Sequence, residues 1–226
     1  MIVSIHQPQY LPWIPYFQKI RDSELFIILD DVTFQKNGLQ NRNRIKTSQG
    51  PLWLTIPVRQ SFGQKIYDVE INNNLNWKKK HWYAIQDNYQ KAPAFNNYSK
   101  DLEHIYTSNW NKLIDINIYF LELMLKWLEI DVKVIKSSSF TLESVSSKRI
   151  LDLCKIVGAT EYLSGLGGKN YLIEEDFINE GIKIRYQEID LPSEYPQRYI
   201  KNGFYSDLAA LDLILNCGDE AKYYIK

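Results

Sequence analysis

Two short apolar runs, residues 1–6 and 25–29, flank a proline-punctuated stretch and one amphipathic helical segment. This spacing constrains the chain more than any other feature. Residues 1–6 predict a buried strand, 7–15 a loop stiffened by Pro8, Pro12 and Pro15, about 16–22 a helix, and 25–29 a second strand. A strand, loop, helix, strand order is a βαβ unit, whose strands run parallel and whose crossover is right-handed. The 7–15 loop and the pair Asp30 and Asp31 then meet at the carboxyl ends of neighbouring strands, the edge where open α/β sheets bind ligands.

The rest of the chain extends this unit. Residues 33–50 are polar and irregular, with Gly38 and Gly50 as turn signals and cations at Lys36, Arg42, Arg44 and Lys46. Alternation predicts strands at 52–58 and 66–71, with a turn at 72–74. Apolar spacing of three and four predicts helices at about 76–91 and 99–128, the second interrupted near 108–110. A strand at 132–135, a helix over 144–157 stopped by Gly158, a strand at 161–164 running into glycines, a strand at 182–187 and a helix over 208–216 ended by Gly218 complete the order. A single α/β domain over residues 1–226 accounts for all of it, with a mixed, mostly parallel sheet, flanking helices and a Rossmann-like, nucleotidylyltransferase-like first unit.

Charge narrows the function. Lys plus Arg and Asp plus Glu are both 27, so the global field draws the chain neither to DNA nor to an anionic membrane, and any anion must be held locally. The apolar runs fall far short of the ~20 residues that cross a bilayer, and Met1 leads straight into a strand, so a cytoplasmic location without membrane insertion is expected. Cys154 and Cys217 have no partner at metal-ligand spacing and read as inert core thiols. No metal site and no cofactor motif is found. Aromatic residues make up 14%, with Trp 6 and Tyr 16, more than a plain core requires. Some of them suit a site for rings or sugars, and exposed ones would equally serve contacts in an oligomer.

Four constellations carry possible chemistry. In His6-Gln7-Pro8-Gln9-Tyr10-Leu11-Pro12-Trp13, prolines fix a polar loop at the end of a buried strand. His6 there is a general base, a hydrogen-bond donor to a phosphate, or a core histidine satisfied by a carbonyl. Asp30 and Asp31 would hold a cation, orient a hydroxyl or ionise His6, against the plain alternative of turn or capping residues; Asp30 is expected to point inward. In Gln40-Asn41-Arg42-Asn43-Arg44-Ile45-Lys46, an extended backbone would put Arg42, Arg44 and Lys46 on one face, suited to a diphosphate or carboxylate, with Asn41 and Asn43 interleaved. The alternative is a solvated charge run. Last, Tyr162-Leu163-Ser164-Gly165-Leu166-Gly167-Gly168-Lys169-Asn170-Tyr171 opens a strand into glycines. Leu163 stands where a P-loop needs its first glycine, and Asn170 where a dinucleotide fingerprint needs its third. Backbone at Ser164, Gly165 and Gly167, beside Tyr171, still lets an anion or sugar approach closely, unless the segment is simply a tight turn.

Together these segments resemble the WbqC-like family. The matches run in order from Ile5-His6-Gln7-Pro8 through Tyr10-Leu11-Pro12-Trp13, Leu29-Asp30-Asp31-Val32, Asn41-Arg42-Asn43-Arg44-Ile45-Lys46 and Trp53-Leu54-Thr55-Ile56-Pro57-Val58 to Tyr162-Leu163-Ser164-Gly165. Pro15 departs from the family pattern, which has a glycine before the aromatic pair. A looser similarity links the order of residues 3–31 to the nucleotidylyltransferase and pantothenate synthetase group, whose pair of histidines flanking a glycine is absent here.

The resemblance implies a role in O-antigen or other surface-polysaccharide assembly, as a transferase moving an acyl or glycyl group onto the amino group of a nucleotide-linked amino sugar. On that expectation His6 takes a proton from the sugar ammonium and Asp30 orients His6 or a hydroxyl. Arg42 and Arg44 grip the diphosphate, Tyr10 and Trp13 stack on a ring, and amides of residues 165–168 meet the acyl oxygen. Gln7, Asp31, Asn41, Asn43, Lys46, Ser164 and Tyr171 complete the substrate contacts. The acyl donor is open among a thioester carrier, an acyl adenylate and a charged tRNA. The alternatives are a non-catalytic nucleotide-sugar or glycan binding module, adenylyl transfer, and a metal-assisted hydrolase using Asp30 and Asp31.

Overall fold

The computed structural model describes residues 1–225. In chain order the elements are β1 (Ile2–His6), α1 (Ile14–Arg21), β2 (Leu25–Ile28), β3 (Arg42–Thr47), β4 (Gly50–Thr55), β5 (Val58–Arg59), β6 (Glu70–Ile71), α2 (Trp77–Tyr89), α3 (Phe95–Thr107) and α4 (Leu113–Trp127). They continue with β7 (Lys133–Lys136), α5 (Ser146–Ile156), β8 (Glu161–Ser164), α6 (Glu174–Asn179), β9 (Lys183–Tyr186) and α7 (Ala210–Cys217).

Five strands form one sheet in the order β7-β2-β1-β8-β9, every neighbouring pair parallel. The predicted first unit is present, with Val3 opposite Leu25 and Ile5 opposite Ile27. Off this sheet lie two small antiparallel pairs of strands, β3 with β4 and β5 with β6. Because side chains alternate along a strand, β1 and β2 feed two cores. Val3, Ile5, Leu25 and Ile27 pack with Ile150 and Cys154 of α5 and with Phe177 of α6. Phe26 and Ile28 face the other way, onto Phe17 and Ile20 of α1 and the larger core that includes α3, α4 and α7. Each such side chain contributes roughly 1.5–3 kcal/mol by leaving water. Both faces of the sheet are therefore covered, and its strand ends are left for function.

Several predicted boundaries move for local reasons. The 99–128 segment is two helices, interrupted at 108–110 as predicted, because Ser108 leaves helical backbone, while its first helix begins earlier, at Phe95. There Ser108 Oγ donates to the His104 carbonyl at 2.7 Å and Trp110 Nε1 to the Ile105 carbonyl at 2.8 Å. The 52–58 strand is divided at Pro57, which has no N–H for a ladder, into β4 and β5. The 66–71 strand begins instead as a single 3₁₀ turn, Ile66–Asp68, before β6. Among the described residues no helix is long and apolar enough to cross a membrane.

The last part of the chain returns to the first loop. Ala210 N–H donates to the Pro12 carbonyl at 2.9 Å, Ala209 N–H to the Arg44 carbonyl at 2.9 Å, and Trp13 and Ala209 form an antiparallel bridge. Behind this contact, buried Asp212 of α7 accepts from Tyr89 Oη at 2.6 Å, Tyr195 Oη at 2.7 Å and Gln197 Nε2 at 2.9 Å. Three donors on one carboxylate are what its burial requires.

Candidate functional site

The chain leaves β1 for β2 on one side, and β8 comes in on the other, so the crossovers diverge between β1 and β8. Such a switch point opens a crevice at the carboxyl ends of the strands. A cleft of about 510 Å³ lies there, walled by His6 and Gln7, by Trp13, by Pro15, Tyr16 and Lys19 of α1, and by the segment from Ser164 to Gly168 with Tyr171.

His6 ends β1 with its ring half-buried and tilted over Tyr16, centroids 5.0 Å apart. Its Nδ1 is enclosed and makes no hydrogen bond. Burial, and then the charge of Lys19, hold its pKa well below 6.5, so the imidazole is neutral at pH 7. Gln7 is anchored on both sides: Tyr16 Oη donates to its carbonyl at 3.2 Å and Gln40 Nε2 to its Oε1 at 2.8 Å. Pro15, the departure from the family pattern, sits in the first turn of α1, where a missing N–H costs nothing, and its carbonyl accepts from Gln187 Nε2 at 2.7 Å.

Lys19 is the residue that the sequence reading missed. It is 1% exposed, yet its Nζ meets only the Ile5 carbonyl, at 3.0 Å, and no carboxylate lies within ion-pair distance among the described residues. Burial pushes its pKa down to about 7. Its sequence signal was available: Lys19 lies three and four residues beyond Tyr16 and Pro15, on the face of α1 that turns to the cleft.

The glycines of the 165–168 segment differ in purpose. A Cβ at Gly168 would collide with Ser164 Oγ and lie 2.9 Å from Leu172 Cδ1, so this position admits only glycine as packed. Gly167 has open space where a Cβ would be. Gly165 has φ −69°, and a Cβ there would meet only Lys19 Nζ, at 3.8 Å. Ser164 is buried and its Oγ donates to the Gly165 carbonyl at 3.0 Å. Tyr171 stands half-exposed at the rim, its pKa raised by burial.

Other expected site residues lie elsewhere. Asp30 is buried and does point inward, but away from His6: Ser138 N–H donates to its Oδ1 at 2.9 Å and Ser138 Oγ to its Oδ2 at 2.7 Å. Asp31 is paired with Arg149 and accepts from Ser137 Oγ at 2.6 Å. Both carboxylates face a second cleft of about 610 Å³ beside β7, so Asp30 does not orient His6. Among the described residues no group of three or more His, Cys, Asp or Glu side chains could hold a metal ion.

Tyr10 is a core residue, fully buried, with its hydroxyl 2.9 Å from His81 Nδ1 and 2.6 Å from Tyr106 Oη, and it cannot stack on a ligand. Asn41 donates to the Ile56 carbonyl and Asn43 to the Leu11 carbonyl, so the two amides hold backbone. Arg42 and Arg44 do share a face, where both guanidiniums lie over Trp53 at 4.4 and 5.3 Å from the ring centre, and Arg44 pairs with Asp207. Lys46 leaves that set: it is fully buried, donating to Gln197 Oε1 at 2.9 Å and to the Gly203 carbonyl at 2.6 Å. Arg44, Trp53 and Asp207 line a small hollow of about 150 Å³ that shares Trp13 with the main cleft.

Comparison with known proteins identifies the family of the chain. A sequence profile described as the WbqC-like protein family matches residues 7–224. The Mycobacterium tuberculosis protein Rv1507c, itself uncharacterized, is 34% identical over 227 aligned residues, covering 99% of this chain and 97% of that protein. No solved structure matches significantly.

Proposed function

Because the chain belongs to the WbqC-like protein family, we propose that it is a cytoplasmic transferase of surface-polysaccharide assembly, joining an acyl or aminoacyl group to the amino group of a nucleotide-linked amino sugar. The observation that carries this reading is the neutral imidazole of His6 in a preformed cleft at the β1/β8 switch point. An ammonium must lose a proton before its nitrogen attacks an acyl carbon, and a neutral imidazole is able to take it. Trp13 offers an aromatic wall, and the adjoining hollow brings Arg44 and Trp53 within reach of the nucleotide end. Asp30, Asp31 and Tyr10 take no part. The acyl group arrives from a carrier thioester, an acyl adenylate or a charged tRNA.

The test is a thermal-shift series with a nucleotide-linked amino sugar, the bare nucleotide and ATP, followed by mass detection of the amide with each class of donor. Stabilisation by the amino-sugar nucleotide above the bare nucleotide is expected. His6→Ala should lower kcat with affinity kept, and Arg44→Ala should do the reverse. Stabilisation by ATP alone would move the reading to adenylyl transfer.

A second reading, a binding module that presents the sugar nucleotide to a partner, draws on one feature of the site. No side chain orients His6 through Nδ1, whereas a catalytic base is ordinarily held by a third group. On that reading His6→Gln binds as the wild type does and no amide forms with any donor.

A further inference from the structure

A buried ammonium carries three donors, and where the fold supplies no counter-charge a ligand can. Other buried cations of this chain are provided for. Arg149 has Asp31, and Lys46 has two oxygen partners and the nearby charge of Asp212. Lys19 has one carbonyl only, leaving two N–H donors unused at the wall of the cleft.

Gly165 supplies the second observation. Its φ of −69° is open to any residue and a Cβ would clash with nothing, so neither conformation nor packing requires glycine there. What a side chain would occupy is the space directly beside Lys19 Nζ, 3.8 Å away. Omitting it keeps the approach to the ammonium clear.

We propose that Lys19 Nζ is the anion-binding point of the cleft, receiving a phosphate or carboxylate oxygen of the ligand over the bare backbone of Gly165. This deepens the reading above by naming where the ligand's charge is held, and it rests on that reading only in taking the cleft as the ligand site. It also adds, inside the cleft, an anion contact from a lysine of α1 to the one that Arg44 offers from the adjoining hollow.

A proton signature follows. The other titratable groups on the cleft wall are His6 from β1, Tyr16 from α1, Tyr162 from β8 and Tyr171. Burial pushes His6 down and every one of these tyrosines up, away from the range near pH 8. The walls contributed by α5 and by the segments after β2 and β9 bring Ile150, Leu29, Gln35, Gln187 and Ile189, none of which titrates. Lys19, whose value of about 7 lies nearest this range, is largely unprotonated at about pH 8 and gains a proton when an anion binds at its Nζ, whereas the neutral His6 would need a far lower pH to do so.

The experiment is isothermal titration of the full chain with inorganic pyrophosphate, acetate and a nucleotide-linked amino sugar, in two buffers of different ionisation heat at about pH 8. Uptake approaching one proton per anion is expected. Lys19→Met should weaken binding more than tenfold. Lys19→Arg, whose guanidinium never titrates, should bind without that uptake and so subtract the ligand's own protons. Gly165→Ala keeps the backbone relaxed and should weaken binding with the protein folded. A stronger response to pyrophosphate names phosphate as the source, and one to acetate names carboxylate.

Undiminished binding in Lys19→Met, equal proton uptake in Lys19→Arg, or no binding of any of the three ligands would overturn the inference. Binding of the amino-sugar nucleotide without dependence on Lys19 would sink it and leave the transferase reading intact. Lys19-dependent pyrophosphate binding without affinity for the amino-sugar nucleotide would do the opposite.

Discussion

Replacing Lys19 with methionine should stabilise the chain at neutral pH, and by a smaller margin as the pH rises. The folded chain releases the Lys19 proton near pH 7, whereas the unfolded chain holds it up to the ordinary lysine value of 10.5. Between those values the unfolded state binds one proton more, so wild-type stability climbs with pH at about 1.4 kcal/mol per unit. The penalty for burying this amine is fully present below pH 7 and is relieved towards 10.5. Lys19 is still half-titrated in the fold at pH 7, so the relief from about pH 7 to about pH 9 integrates to about 2 kcal/mol. Methionine keeps the length of the side chain and has no proton to lose, and every other titrating group is common to both proteins, so the difference isolates Lys19. Urea unfolding followed by the fluorescence of the six tryptophans at the two pH values gives the number, provided the slope m is unchanged. A stability gap between variant and wild type that stays constant within a few tenths of a kcal/mol would refute the burial argument.

Two further predictions concern stability alone. Gly168→Ala should cost about 1–3 kcal/mol through the clash with Ser164 Oγ, and Ser164→Ala in the same chain should recover part of it; additive losses in a denaturation cycle would remove the steric explanation. Arg149→Met should cost about 3–5 kcal/mol by stranding the carboxylate of Asp31, whose side chain is 10% exposed, whereas Arg149→Met with Asp31→Asn should come close to wild type. A cost below ~1 kcal/mol for the single change would mean that solvent already satisfies Asp31.

The parts of the fold that could be read from sequence were those fixed by local pattern. Apolar runs at β1 and β2 around one helix specify their parallel pairing, and the glycines after β8 mark the mouth of the cleft. What escaped was set by segments distant in the chain. Tyr10 reads as a ligand platform until His81 and Tyr106, from α2 and α3, arrive to satisfy its hydroxyl. Asp30 sits at the expected strand end, but Ser137 and Ser138 after β7 decide which way it turns. Lys46 alternates correctly along β3 and is then covered by residues 197–203. Lys19 was hidden by a different cause. A charged residue in an amphipathic helix is assigned to solvent by default, and α1 is buried along its whole length except Arg21.

The pairing of β1 with β8 also sets the order in which the molecule can be made. Ile2 finds its partner at Glu161, and the loop after β1 is tied down by Ala209 and Ala210. A chain emerging from the ribosome therefore exposes one edge of its first strand, with an open row of backbone donors and acceptors, until most of its length has been synthesised. The short β1 and the prolines that follow it limit how far a foreign strand can extend along that edge. The cleft is among the last parts of the molecule to be completed, since a chain cut short before β8 lacks the Ser164–Gly168 wall and the residues Gln187 and Ile189.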